Sequence, residues 1–226
     1  MLIHNVLHVI SIWIVVLPLA AGLINYKGLN SDSKWIFYIT VAAVPPQILT
    51  YFVHFNETKW LNICYNVYTP VEFALLYGLF RKKFELPVNQ FLGRLFAVVY
   101  VGVSVYFIAA FGISAHFLEW WVCINNLIYI FWIMTFLKEQ YQSESFVIHK
   151  RNPFSWYILA FIIYAPCTVL VFGLYYYIRD PRRVGLWNLW LIQIICNILL
   201  YLFFAIGLFI SRKDEISRLD ESKYRK

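Results

Sequence analysis

Seven apolar runs, each long enough to cross a bilayer as a helix, take up most of this chain: about Ile3 to Tyr26, Lys34 to Phe55, Trp60 to Phe80, Asn89 to Ile113, His116 to Leu137, Pro153 to Ile178 and Leu186 to Ser211. A hydrocarbon layer roughly 30 Å thick needs about 20 helical residues. Every run meets that length, and the turns between runs are too short to hold a soluble domain. The expected fold is all-α: a polytopic membrane protein with seven transmembrane helices over residues 1–211, followed by a short charged cytosolic tail over 212–226. Composition agrees, with 62% hydrophobic and only 14% charged residues, against about 25% charged in soluble domains. The first run lacks a basic leader and is too long for a signal peptide, so it is read as a retained span.

The basic residues choose the orientation. Of 19 Lys and Arg, only Lys59, Arg179, Arg182 and Arg183 fall on one set of alternate turns. The others, including Lys27, Lys34, Arg81, Lys82, Lys83, Arg94, Lys138, Lys150, Arg151 and those of the tail, fall on the opposite set. The positive-inside rule places the amino terminus outside and the carboxyl terminus in the cytosol. A net charge of +7 is thereby accounted for by topology and by anionic lipid, with no nucleic-acid partner expected.

One span differs from the rest. Leu61 to Phe80 carries Asn62, Asn66, Thr69 and the carboxylate of Glu72, which lies about 18 Å along the helix from Trp60, near mid-membrane. An ionisable group at that depth is costly unless it faces protein or trapped water, and is expected to be hydrogen-bonded rather than a bare anion. At 100° per residue Asn62, Tyr65, Asn66, Tyr68, Thr69 and Glu72 share one half of the helix, with Ile63, Val67, Val71 and Ala74 on the other. The polar half is expected to look inward.

Other spans carry polar stripes too: His4, His8, Ser11, Pro18 and Asn25 in the first; Thr40, Gln47, Tyr51 and His54 in the second; His116, Glu119, Cys123 and Asn126 in the fifth. The sixth aligns Tyr157, Tyr164 and Thr168, and the seventh Trp190, Gln193, Asn197 and Tyr201. The fourth has no such stripe and belongs on the periphery or at an oligomer contact. Gln47, Glu72, Asn126, Tyr164 and Asn197 fall at similar depths, so the expected ligand or proton cavity comprises Glu72, Asn66, Tyr68, Gln47, Asn126, Tyr164, Asn197 and Gln193. The plainer alternative, Asn and Gln holding helices together, is preferred for any single amide. For Glu72 function is preferred. Pro18, Pro45, Pro46, Pro70 and Pro166 interrupt backbone hydrogen bonding inside four spans, as cavity-lining helices of transporters do and as inert membrane helices also commonly do.

Catalytic and metal signatures are weak. His4 and His8 have the i, i+4 spacing of a zinc site that His54 and His116 could complete, but interfacial histidines are ordinary and no HExxH occurs. Ordinary placement is preferred and no cofactor is expected, zinc being the one metal considered. Cys64, Cys123, Cys167 and Cys196 sit singly in four runs, as small buried residues do. No lysine lies deep in a span, which removes the attachment point of a retinal Schiff base. No GxSxG, GxGD or paired-aspartate arrangement is present, and Pro46-Gln47 is a solitary PQ dipeptide.

The segments NVYTPVEF, RNPFSW followed by IIY, and QIICNILLYLFFAIG resemble a group of uncharacterised bacterial seven-helix inner-membrane proteins, some thought to be encoded near sensor kinases. The resemblance implies a bacterial inner-membrane location and singles out Asn66, Tyr68, Glu72, Asn152, Pro153, Trp156, Tyr164 and Asn197, with no established activity. Together these readings favour a non-enzymatic sensory or accessory module. A small ligand, lipid or proton would occupy the cavity around Glu72, and the Arg81-Lys82-Lys83 surface would meet lipid or a signalling partner. A small-solute or proton-coupled transporter is the alternative, and a metal-dependent membrane hydrolase the third.

Overall fold

The computed structural model describes residues 2–52, 58–114, 119–142, 152–174 and 187–224, with backbone alone for 2–5, 58, 187, 188 and 212–224. Among them the chain is all-helical: α1 Leu2–Trp13, α2 Val16–Asn25, a 3₁₀ turn Tyr26–Gly28, α3 Ser31–Phe52, α4 Thr58–Phe80, α5 Pro87–Phe111, α6 Glu119–Gln142, α7 Pro153–Gly173 and α8 Trp187–Tyr224.

Six stretches are long and apolar enough to cross a membrane: Val6–Gly28, α3, α5, α6, α7 and Leu189–Ser211 of α8. The chain is accordingly an integral membrane protein in its architecture. The seventh long helix, α4, has 23 residues but is diluted by Asn62, Asn66, Thr69, Glu72 and three tyrosines, and is not among the six. Its polar content is the same feature that makes it the candidate site.

Local chemistry sets the helix ends. The side-chain oxygen of Asn30 accepts from Ser33 N at 2.8 Å at the start of α3, and that of Asn152 accepts from Phe154 N at 3.0 Å ahead of Pro153 in α7. Both are N-caps, the second followed by proline in the first turn, where its missing N–H is harmless. Gly112 closes α5 at φ 74°, its amide reaching Ile108 O at 3.0 Å, a left-handed stop suited to glycine.

The first run, expected as one helix, is broken between Trp13 and Val16. The cause is Pro18: it lacks an N–H for the carbonyl of Ile14 and its ring crowds that carbonyl. Leu17 N turns back to Ile14 O at 3.0 Å instead. Pro45, Pro46, Pro70 and Pro166 sit inside helices that continue through them. The charged tail, expected to be at most a short helix, continues α8 to Tyr224.

Packing closes a ring in which α4 meets α6, α6 meets α7, α7 meets α8, α8 meets α1 and α2, and α3 bridges these back to α4. Helix α5 packs against α4 and α6 with only 11% of its apolar window buried. That is the peripheral place its lack of a polar stripe implied. The core is aromatic, with Phe73 stacked on Tyr100 at 3.6 Å and Trp132 and Tyr129 beside it. Lipid tails are as apolar as leucine, so close packing and interhelical hydrogen bonds hold such bundles together. Gly207 of α8 is one device: a Cβ there would fall into the ring of Tyr157 on α7.

One end of the bundle is tied by polar contacts. Lys83 Nζ pairs with Asp32 at 2.5 Å, the Ser33 and Tyr157 hydroxyls meet at 2.8 Å, and Asn30 N donates to Ser211 Oγ at 3.2 Å. The buried carboxylate of Glu139, near the end of α6, accepts from Glu85 N at 3.0 Å, from Leu86 N at 3.1 Å and from the Asn89 side chain. These contacts bring the starts of α3, α5 and α7 and the ends of α4 and α6 to one side, together with Ser211 of α8.

Candidate functional site

The inward half of α4 is as the helical period requires. Asn66 (1% exposed), Thr69 and Glu72 (8%) are buried, while Val67 and Val71 are exposed and so is Ala74. Thr69 Oγ1 returns to Tyr65 O at 2.8 Å, and Pro70 leaves the carbonyl of Asn66 without its usual amide. The Asn66 side chain reaches Ile113 O at 3.0 Å, fastening α4 to the end of α5.

Glu72 is the centre of the arrangement. Tyr68, one turn earlier, donates to its Oε1 at 2.8 Å, and the Asn125 amide of α6 stands 3.5 Å from its Oε2. Around this carboxylate stand hydroxyls from four further helices within electrostatic range: Tyr100 of α5, Tyr129 of α6, Tyr164 of α7 and Tyr201 of α8. Tyr201 is in turn engaged by Gln47 of α3, so a third turn of the ring joins in. Tyr65 of α4 lies beside Tyr164 and Tyr201 and contacts Thr50 Oγ1 at 3.0 Å. One acid thus faces a cage of tyrosines contributed by most of the bundle.

The cage is incompletely paired. Asn125 Oδ1, Tyr129 Oη, Tyr100 Oη and Trp132 Nε1 are buried with no partner in hydrogen-bond geometry, and none of the four residues is more than 1% exposed. Buried orphans of this kind cost about 1–3 kcal/mol each. They form a set with both donors and acceptors. Tyr68 Oη, bonded to Oε1, is the hydroxyl placed to exchange a proton with the carboxyl.

The other expected members are distributed differently. Tyr68, Tyr164 and Gln47 belong to the cage. Asn126 returns to its own helix at Val122 O, 2.9 Å away, its Oδ1 unpartnered. Gln193 Nε2 donates to Thr168 Oγ1 at 3.1 Å, joining α8 to α7, and Asn197 Nδ2 donates to Ser11 O at 3.1 Å, joining α8 to α1. These contacts are interhelical fastening. His54 and His116 lie outside the described residues, as do Arg179, Arg182 and Arg183 and the side chain of His4. Among the described residues no three His, Cys, Asp or Glu converge. Arg81, Lys82 and Lys83 crown the end of α4, with Lys83 committed to Asp32.

Sequence reasoning missed Asn125, Tyr100, Tyr129 and Trp132. Asn125, Tyr129 and Trp132 stand at i, i+4 and i+7 on α6, a stripe hidden by treating aromatic residues as apolar. Cys167 and Cys196, distant in sequence, also meet across α7 and α8. Comparison of the chain with protein-family models, curated proteins and solved structures finds no match, so the site's own chemistry carries the functional reading.

Proposed function

We propose that this chain crosses the membrane seven times, amino terminus outside and carboxyl terminus in the cytosol. It acts as a sensory or accessory module whose input is a proton or a small polar ligand at Glu72. The observation that carries this reading is the buried Glu72 carboxyl, bonded to Tyr68 and ringed by tyrosines of four other helices. A change of its protonation or occupancy alters its bonds to α4 and α6 and the field at the tyrosines of α5, α7 and α8. That gives a local event a route to the bundle's ends. The resemblance to uncharacterised bacterial inner-membrane proteins, some thought to be encoded near sensor kinases, supports a bacterial inner-membrane location and is compatible with a sensory role.

The test is a pH and ligand titration of intrinsic tryptophan emission in nanodiscs, Trp132 being packed beside Phe73 and Tyr129. The wild type is expected to respond reversibly and Glu72→Gln to respond not at all. Equal responses from both proteins would end this reading.

A proton-coupled carrier is the second reading. It is favoured by the helix break before Pro18 and by the prolines carried inside α3, α4 and α7. Proteoliposome flux separates the two, since a carrier moves solute under a pH gradient and loses that movement in Glu72→Gln.

A further inference from the structure

At the tied end of the bundle, about 13 Å along α4 from Glu72, a cavity of about 250 Å³ opens between the end of α4 and the first turns of α5. Arg81, Lys82 and Arg94 contribute three cations to its lining, with Tyr77 and Gln90 beside them and no carboxylate. All three cations are exposed. Asp32 is spent on Lys83 and Glu139 on the amides of Glu85 and Leu86 and on Asn89, while the exposed Glu85 does not line the cavity. Among the described residues Arg81 and Arg94 have no carboxylate within ion-pair distance. Phe84 and Gly93 supply an apolar wall, and Gln90 Nε2 is held by Phe84 O at 3.0 Å.

Depth narrows the choice of anion. Around the cavity α5 turns Val88, Phe91, Leu95 and Val98 outward, each exposed, with Arg94 among them, so the cations stand at the edge of an apolar belt. Lipid phosphates lie at that boundary. Two guanidinium forks on a cavity with an apolar wall suit a phosphate ester carrying a small organic substituent.

We infer that this cavity is a binding site for a phosphate ester, supplied by the headgroup of an anionic phospholipid. A soluble phosphate ester offers the same chemistry from another source. The site needs nothing from Glu72, so it stands whether or not the proposed function does.

Native mass spectrometry of the full chain in neutral detergent tests it, with phosphatidylglycerol as probe, phosphatidylcholine as zwitterionic control and glycerol phosphate as the soluble arm. The wild type should retain one phosphatidylglycerol in preference to phosphatidylcholine. The pair Arg81→Gln with Arg94→Gln should weaken that retention by about tenfold or more. Gly93→Leu, which keeps every charge but presses on Phe84, whose ring a Cβ there would meet at 3.1 Å, and so distorts the cavity wall, should weaken it similarly. Glu72→Gln should retain the lipid as the wild type does. Each variant is checked for wild-type helicity by circular dichroism, and Arg94→Gln alone, an exposed change, gives a reading should Gly93→Leu misfold. Binding of glycerol phosphate without phosphatidylglycerol would support the site with a soluble occupant. Equal retention of both lipids, or retention unchanged in the double variant, would overturn it.

Discussion

Two tyrosines on the inner faces of neighbouring helices separate structure from function at the level of single residues. Tyr157 Oη shares a buried hydrogen bond of 2.8 Å with Ser33 Oγ, whereas Tyr129 Oη has no partner in hydrogen-bond geometry. Tyr157→Phe leaves Ser33 unpaired and is expected to cost about 1–2 kcal/mol. Tyr129→Phe removes a buried hydroxyl that has no partner in hydrogen-bond geometry and is expected to leave stability unchanged or to raise it, by up to about 1–3 kcal/mol. Thermal unfolding in detergent checks both. If Tyr129 belongs to the input site, its loss should still alter the titration of tryptophan emission. The sequence exposed Glu72 and its inward turn, because a carboxylate amid apolar residues is conspicuous and Val67, Val71 and Ala74 mark the opposite side. It concealed Asn125, whose stripe is completed by Tyr129 and Trp132 and so passes for apolar.

At the level of elements, the loop between α4 and α5 depends on a residue far away in sequence. Glu139 satisfies two amides at the start of α5, where a carboxylate also favours the positive end of the helix. Glu139→Ala should destabilise the fold by about 2–4 kcal/mol. It should also raise hydrogen exchange at the Glu85 and Leu86 amides more than elsewhere. Exchange that rises uniformly would show that the clamp is not local. Gly207→Leu drives a side chain into Tyr157 and should cost about 1–3 kcal/mol or separate α7 from α8, checked by the same unfolding measurement. Helix existence and most bounds could be read from length and hydropathy. The break at Ile14 and Val15 lies one turn before the proline that causes it, a displacement set by the i−4 hydrogen bond. Glu139 gave no signal, since an acid next to Lys138 at a helix end resembles any solvated residue until the fold brings α5 to it.

For the whole molecule, the contacts at the tied end already gather Lys83, Glu139, Asn30 and Ser211 on one side, the side where the basic residues cluster. With the amino terminus outside, Lys59→Cys should react with an impermeant maleimide on intact cells and Lys27→Cys only after permeabilisation. The reverse pattern would invert the proposed orientation. The cage and the basic cavity could not be read from the sequence as assemblies, because each depends on which faces of α4, α5 and α6 meet. The most direct test of the central claim is infrared difference spectroscopy across a pH titration of the wild type, Glu72→Gln and Tyr68→Phe in nanodiscs. The wild type should show one carboxyl band that appears and disappears reversibly, absent in Glu72→Gln and displaced in frequency in Tyr68→Phe. Identical difference spectra for the wild type and Glu72→Gln would contradict a working carboxyl at the centre of this bundle.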